Sequence, residues 1–367
     1  MKLLVRAPNW VGDAVMAIPA LDAIRARWPE VEIAVLGIRP IAELLSGQKF
    51  SDRTIVFERG GRHGGVWGRG RLAAELAREK FDIAILLPNS FESAWIAWRA
   101  HIPERIGYAR DARGVLLTRS VTRPRAGEIP AHHSYYYLEL VRRAGWIERL
   151  PKTLEATLRV SAEARDAAEA ALVRAGARAR TSGGARKQPL RCALGPGAAF
   201  GTAKRWLPSR YASLALRLRT EWDADVILFG APSDRVVADA IAASAGGKII
   251  NMAGKTSTAE LPAFLAACDV FIGNDSGATY VAGAVGLPVI AIYGPMPPEI
   301  AYPMTPTLEI VRHQVSCSPC LLRNCPVDHR CMTRIEVDDV LGAARKWLDS
   351  APRADRLARD AGSVPGA

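Results

Sequence analysis

The sequence predicts an α/β protein built as two domains, each a parallel sheet with helices packed on it. Three features carry that prediction. Short apolar runs recur that end in Gly, Pro, Asn, Asp or Ser and feed stretches of helical period, the pattern of repeated βαβ units. This pattern runs from Leu3 to about residue 160, breaks at an alanine-rich helix and a basic segment, and restarts at Arg191. At 367 residues the chain is also long for one core. The expected boundaries are a first domain over 1–160, a helix and basic linker over 161–188, a second domain over 189–345 and a polar tail over 346–367.

In the first half, Leu3-Leu4-Val5 reads as a strand, Arg6 to Asp13 as a loop, and Ala14 to about Arg27 as a helix. Val15, Met16, Ile18, Leu21 and Ile24 recur there at helical spacing, and Glu32 to Leu36 returns as a strand. Asp13 follows the Trp10-Val11-Gly12 turn at a strand's carboxyl end, a good place for a general base in a cleft. As a first-turn helix acid it would also favour the helix dipole without any chemistry. Arg53 to Phe57 is the next strand, Gly60 to Gly70 a Gly/Arg/His loop, and Leu72 to Glu79 a helix. Asp82 to Leu87 is a strand whose polar end, Pro88-Asn89-Ser90, feeds a helix carrying Phe91, Trp95 and Trp98, and Arg105 to Tyr108 reads as a short strand and turn. His132 and His133 open a helix with Tyr135, Tyr136 and Tyr137. Adjacent helical residues point about 100° apart, so these histidines suit solvent or substrate contact better than a shared metal.

The second half repeats the pattern. Arg191 to Leu194 is a strand followed by the Gly-rich loop Gly195 to Trp206, then a helix from Pro208 to Leu218 and a strand from Asp225 to Phe229. Ile249 to Asn251 and a helix from Glu260 to Cys268 lead into Asp269 to Pro295, read as strand, polar turn, helix, turn and strand. Asp275-Ser276-Gly277 stands at that strand's carboxyl end, where open α/β sheets bind ligands and a helix N-terminus suits phosphate. The alternative is that Asp275 or Ser276 only caps the helix. Lys204, in the Gly-rich loop, would hold a diphosphate, or else be an ordinary surface lysine. Neither GxGxxG nor a Walker loop is present, which counts against a dehydrogenase and a P-loop ATPase. Asp223-Ala224-Asp225 has DxD spacing but precedes its strand, so a turn is expected there.

The formal charge of +12 favours partners rich in phosphate or carboxylate: nucleic acid, an anionic membrane surface or a phosphorylated substrate. No apolar run approaches the ~20 residues of a membrane span. Arg6 and Asp13 interrupt the apolar N-terminus, which therefore reads as the first strand of a cytoplasmic protein and not as a signal peptide. Cys317, Cys320, Cys325 and Cys331 give C-x2-C-x4-C-x5-C. The first pair has metal-ligand spacing and the rest fits no standard pattern, so a structural zinc site and unliganded cysteines both stay open.

RAPNWVGDAVMAIPAL at 6–21, LLPNSFESAW at 86–95, RIGYAR at 105–110, GPGAAFGTAKRWLP at 195–208, VILFGAPSD at 226–234, MAGKTS at 252–257 and NDSGATYVAGAVGLPVIAIYGP at 274–295 together resemble the heptosyltransferases of glycosyltransferase family 9. The resemblance covers about residues 1–345. It implies a GT-B fold, two Rossmann-like domains with parallel sheets facing across a cleft, the acceptor on the first and ADP-heptose on the second. It further implies transfer with inversion, no catalytic metal, a lipopolysaccharide inner-core lipid as acceptor, and work at the anionic cytoplasmic face of the inner membrane. On matching positions Asp13 would be the base and Lys204 would neutralise departing ADP. Thr202, Asp234, Asp275, Ser276, Gly277 and Tyr280 would bind donor, and Asn9, Trp10, Asn89, Ser90 and Arg105 acceptor. Tyr280 stands where the family commonly has histidine, and a neutral tyrosine cannot replace a cation near phosphate, so a shifted donor preference or a compensating arginine is expected. A family relative with another acceptor or nucleotide sugar remains open. A nucleic-acid-binding protein is opposed by strand-end loops suited to a small ligand, so no nucleic acid is expected.

Overall fold

A computed structural model describes residues 1–180, 188–246 and 248–349. The chain divides into two compact units. One comprises residues 1–159 with the short segments 257–259 and 299–304, and the other comprises 160–256, 260–298 and the chain from 305 onward. Gly183-Gly184 of the expected linker and the expected tail from residue 350 lie outside the described residues.

The first unit is built on six parallel strands: β1 (Lys2–Arg6), β2 (Glu32–Ile38), β3 (Arg53–Phe57), β4 (Ile83–Leu86), β5 (Glu104–Tyr108) and β6 (Arg119–Val121), in the order β3-β2-β1-β4-β5-β6. The central strands β1 and β4 are covered on both faces. That is why they read as unbroken apolar runs, Leu3-Leu4-Val5 and Ile83 to Leu86. Two elements differ from expectation. The helix expected from Ala14 is two helices, Val11–Met16 and Ile18–Arg27, because Pro19 has no N–H to continue the first and is suited to opening the second. The helix expected from Leu72 begins at Gly65, inside the Gly-rich stretch, where Gly68 packs directly on the backbone of His63.

The second unit has β7 (Arg191–Gly195), β8 (Asp225–Leu228), β9 (Ile250–Asn251), β10 (Val270–Asn274), β11 (Val289–Tyr293) and β12 (Leu308–Arg312), again parallel, in the order β12-β11-β10-β7-β8-β9. Counted from each unit's own first strand, the two orders are the same. Asp223 ends the helix Pro208–Trp222 in a left-handed conformation, and Arg178 pairs with both Asp223 and Asp225, so this DxD is the expected turn. The helix Val337–Asp349 runs past the expected boundary at 345 and buries Val340, Leu341, Ala344 and Leu348 in the core with Leu194, Ile272 and Ile290.

In such sheets the chain reverses its direction of winding between the first and fourth strands, and ligands bind outside the carboxyl ends there. In these two units that places the loops after β1, β4, β7 and β10 at the binding positions.

Candidate active site

In the first unit the loop after β1 is held from beneath. Arg6 is buried and its guanidinium donates to Asn9 Oδ1 at 2.5 Å. Trp10 is 48% exposed, and Asp13 lies in the first turn of the helix Val11–Met16, so the helix-dipole reading applies to it whatever else it does. Tyr137 lies nearby and fully buried: burial, then the Asp13 carboxylate, then Tyr136 push its hydroxyl well above the ordinary tyrosine range. His133 Nε2 is 3.2 Å from that hydroxyl, and its ring stacks on Tyr136. The Tyr136 hydroxyl accepts from the Asn89 side-chain amide at 2.9 Å. A chain of polar side chains therefore joins the loop after β4 to the surroundings of Asp13.

Arg113, fully buried, organises the same loop by donating to Pro88 O, to Ser93 Oγ at 3.0 Å and to Tyr108 O at 2.9 Å. Ser90 caps the helix Phe91–Arg99 through Ser93 N. Arg105, by contrast, turns back on its own segment, donating to Ile102 O at 2.5 Å and Leu116 O at 2.7 Å. Of the two histidines, expected in contact with solvent or substrate, His133 is partly exposed and His132 is not. His132 is buried against Tyr302 with Nε2 3.0 Å from its carbonyl, and burial depresses both imidazole pKa values.

In the second unit, Asn274 at the end of β10 locks the Gly-rich loop. Its Oδ1 accepts from Trp206 N–H and from the Tyr211 hydroxyl, each at 3.0 Å, and its Nδ2 donates to Pro196 O at 2.7 Å. The loop thus fixed delivers Lys204 to Asp275, with Nζ 2.5 Å from Oδ2. The other oxygen, Oδ1, accepts from the Tyr280 hydroxyl at 3.3 Å, and Tyr280 is in turn hydrogen-bonded to Tyr293. Neither half of the cap-only alternative holds. Ser276 is the N-cap of the helix Gly277–Ala284 but makes no side-chain cap bond, and the Asp275 carboxylate is committed to Lys204 and Tyr280.

Asp234 is engaged by its own surroundings: Oδ2 accepts from Ala231 N–H at 3.0 Å, Oδ1 lies 3.2 Å from Arg205, and Gly197 packs against the carboxylate. Thr202 donates to Asn324 at 2.9 Å, Ala203 N–H to Arg323 O at 3.0 Å, and Arg323 Nε to Phe200 O at 2.7 Å. His329 reaches Ala203 O at 2.7 Å. The Cys-rich segment is therefore a brace for the lysine loop.

The four cysteines share one neighbourhood: burial, then Cys317, Cys320 and Cys325, push the Cys331 thiol up to about 11. Among the described residues no group of three or more His, Cys, Asp or Glu is placed to hold a metal ion, and all six cysteines are free. Cys331 is buried against Gly294, while Cys317 is exposed.

Two parallel Rossmann-like sheets of the same strand order in one chain, with polar loops at the switch point of each, are the architecture of the GT-B fold. A match to glycosyltransferase family 9 (heptosyltransferase) spans residues 69–330, and the chain belongs to that family. It is 32% identical over 319 residues to lipopolysaccharide heptosyltransferase 2 of Salmonella typhimurium, covering 85% of this chain and 88% of that one. To the Escherichia coli K12 lipopolysaccharide heptosyltransferase 2 it is 31% identical over 325 residues, with the same coverage. The solved E. coli ADP-heptose lps heptosyltransferase II superposes with a TM-score of 0.78 at 28% identity, over 96% of this chain and all of that one. The family and fold read from the motifs are borne out. Arg113, Asn274 and the Arg323–Asn324 brace were missed, since nothing local distinguishes one loop arginine or asparagine from the next.

Proposed function

We propose that the chain moves L-glycero-D-manno-heptose from ADP-heptose to the heptose/Kdo inner core of lipopolysaccharide, inverting the anomeric centre, at the cytoplasmic face of the inner membrane. The first unit takes the acceptor and the second the nucleotide sugar. The observation that carries this reading is the Lys204–Asp275 pair at the switch point of the second sheet, beside the N-terminus of Gly277–Ala284. A buried carboxylate keeps the ammonium in place, where a leaving diphosphate can take it over.

In this reading Asp13 removes the proton from the acceptor hydroxyl as it attacks the sugar carbon, while the bond to ADP breaks. Lys204 and the backbone N–H groups of Ser276 and Gly277 receive the charge that develops on the diphosphate. Lys204 thereby supplies the positive charge that a metal ion brings to other glycosyl transfers. Asp275 and Tyr280 hold Lys204 in position, and Thr202 fixes its loop. Asn9, Trp10, Asn89 and Ser90 contact the acceptor. Arg105 and Asp234 are left to their structural partners. Among the described residues no helix is long and apolar enough to cross a membrane, so contact with the lipid acceptor is proposed to be peripheral. The test is incubation with ADP-heptose and a one-heptose inner-core lipid. Gain of one heptose with inverted configuration supports the reading, and no gain refers the enzyme to another acceptor or nucleotide sugar.

A further inference from the structure

The helix Gly65–Glu79 opens with two apolar side chains in water. Trp67 is 91% exposed and Val66 71%, although the same helix buries Leu72, Ala73 and Leu76 on its core face. An indole left outside forgoes one of the largest burial gains available to a side chain. Phe91, 47% exposed, opens the neighbouring helix. The two helix starts are tied together, because Glu92, next to Phe91, pairs with both Arg59 and Arg69, which flank Val66-Trp67 in the chain. The starts of the two helices, and the apolar side chains they carry, are therefore neighbours at one edge of the sheet.

The charge around them is layered. The Arg59 and Arg62 side chains are more than half exposed, while their partners Glu92 and Glu75 lie lower, at 15% and 27%. Arg71 is exposed and has no ion pair among the described residues. The outer layer is therefore basic and the acids sit beneath it. This surface follows β3 and β4, on the same carboxyl edge of the sheet as the loop after β1 that carries Asn9, Trp10 and Asp13.

We infer that Val66, Trp67 and Phe91, with Arg59, Arg62 and Arg71, form the element that seats the first unit on an anionic lipid bilayer. Aromatic side chains favour the membrane–water interface, and outward arginines are drawn to anionic headgroups. Three apolar side chains offer a few hundred Å² at most, against roughly 800 Å² per partner for a stable protein interface. The choice of a bilayer rests on the lipid acceptor proposed above: acyl chains that stay in the membrane and a sugar that must reach Asp13 require the membrane at this edge.

The test is co-sedimentation of the full chain with phosphatidylcholine vesicles, with and without phosphatidylglycerol. The native chain is expected to bind the anionic vesicles and to be released by salt. W67S is expected to bind at least about tenfold more weakly, and R71S about fivefold. W67S should also transfer more slowly to acceptor embedded in vesicles and at the native rate to a deacylated acceptor. Failure of the native chain to bind anionic vesicles, native-like binding by W67S, or slowed transfer to the deacylated acceptor overturns the inference. Salt-sensitive, Trp67-dependent binding without transfer to either acceptor upholds this surface and refutes the proposed reaction.

Discussion

The ammonium of Lys204 lies 2.5 Å from Asp275 Oδ2, and the aspartate side chain is only 5% exposed. Breaking such a pair from one side leaves a buried charge alone. Lys204→Met should therefore cost about 3–5 kcal/mol of stability, and adding Asp275→Asn should recover much of it. Transfer behaves differently: both the single and the double variant should turn over about 10²–10³-fold more slowly, since neither offers a cation to departing ADP. Denaturant titration and turnover, measured on the same preparations, separate the two effects.

Tyr280 is 4% exposed and its hydroxyl donates to Asp275, so it helps to orient the partner of Lys204. Burial, with Asp275 and Tyr293 adding to it, keeps that hydroxyl protonated across the working pH range. Tyr280→Phe should cost about 1 kcal/mol of stability and slow turnover several-fold with no new limb in the pH profile. Tyr280→His should change donor affinity, and an unchanged dissociation constant would count against this role.

Gly201 is extended, with φ 165°, so any residue could adopt its backbone, yet a Cβ there would run into the carbonyl of Arg323. Gly201→Ala should push the lysine loop off its brace, costing about 1–3 kcal/mol of stability and about 10²-fold in turnover. Gly70→Ala, inside the helix Gly65–Glu79 where a Cβ meets nothing within 4 Å, is the control: it should raise stability by up to about 1 kcal/mol and leave turnover unchanged.

The pH dependence of stability should carry the mark of His132 and His133. Both have folded-state values depressed below the ordinary 6.5, in each case chiefly by burial. As pH falls below that value the unfolded chain takes up protons first, so the folded state loses stability; above it the full contribution is present. Urea midpoints should therefore drop between pH 7.5 and 5.5, and His133→Gln should flatten part of that drop. An equal drop in the variant would contradict the assignment.

The strand ends that bear Asn9, Asn89, Lys204 and Asp275 could be placed from sequence because strands buried on both faces read as plain apolar runs, and the polar residue that ends each run marks the loop. Edge strand β12, with only Val311 buried, carries no such run and escaped notice. The start of the helix at Gly65 was hidden by glycines that ordinarily break helices. What Asp275 holds was not readable either: Lys204 is 71 residues away in the chain, and only the sheet order brings the loops after β7 and β10 together. The burial of His132 was unreadable for a related reason, since the segment that covers it comes from around Tyr302.

The central claim is that Asp13 and Lys204 drive an acceptor-dependent transfer, and ADP release from ADP-heptose with a one-heptose inner-core acceptor tests it most directly. The native chain should release ADP only when acceptor is present, and Asp13→Asn should lower that release by about 10²–10⁴-fold while still binding donor. Release at the native rate by Asp13→Asn would contradict the claim.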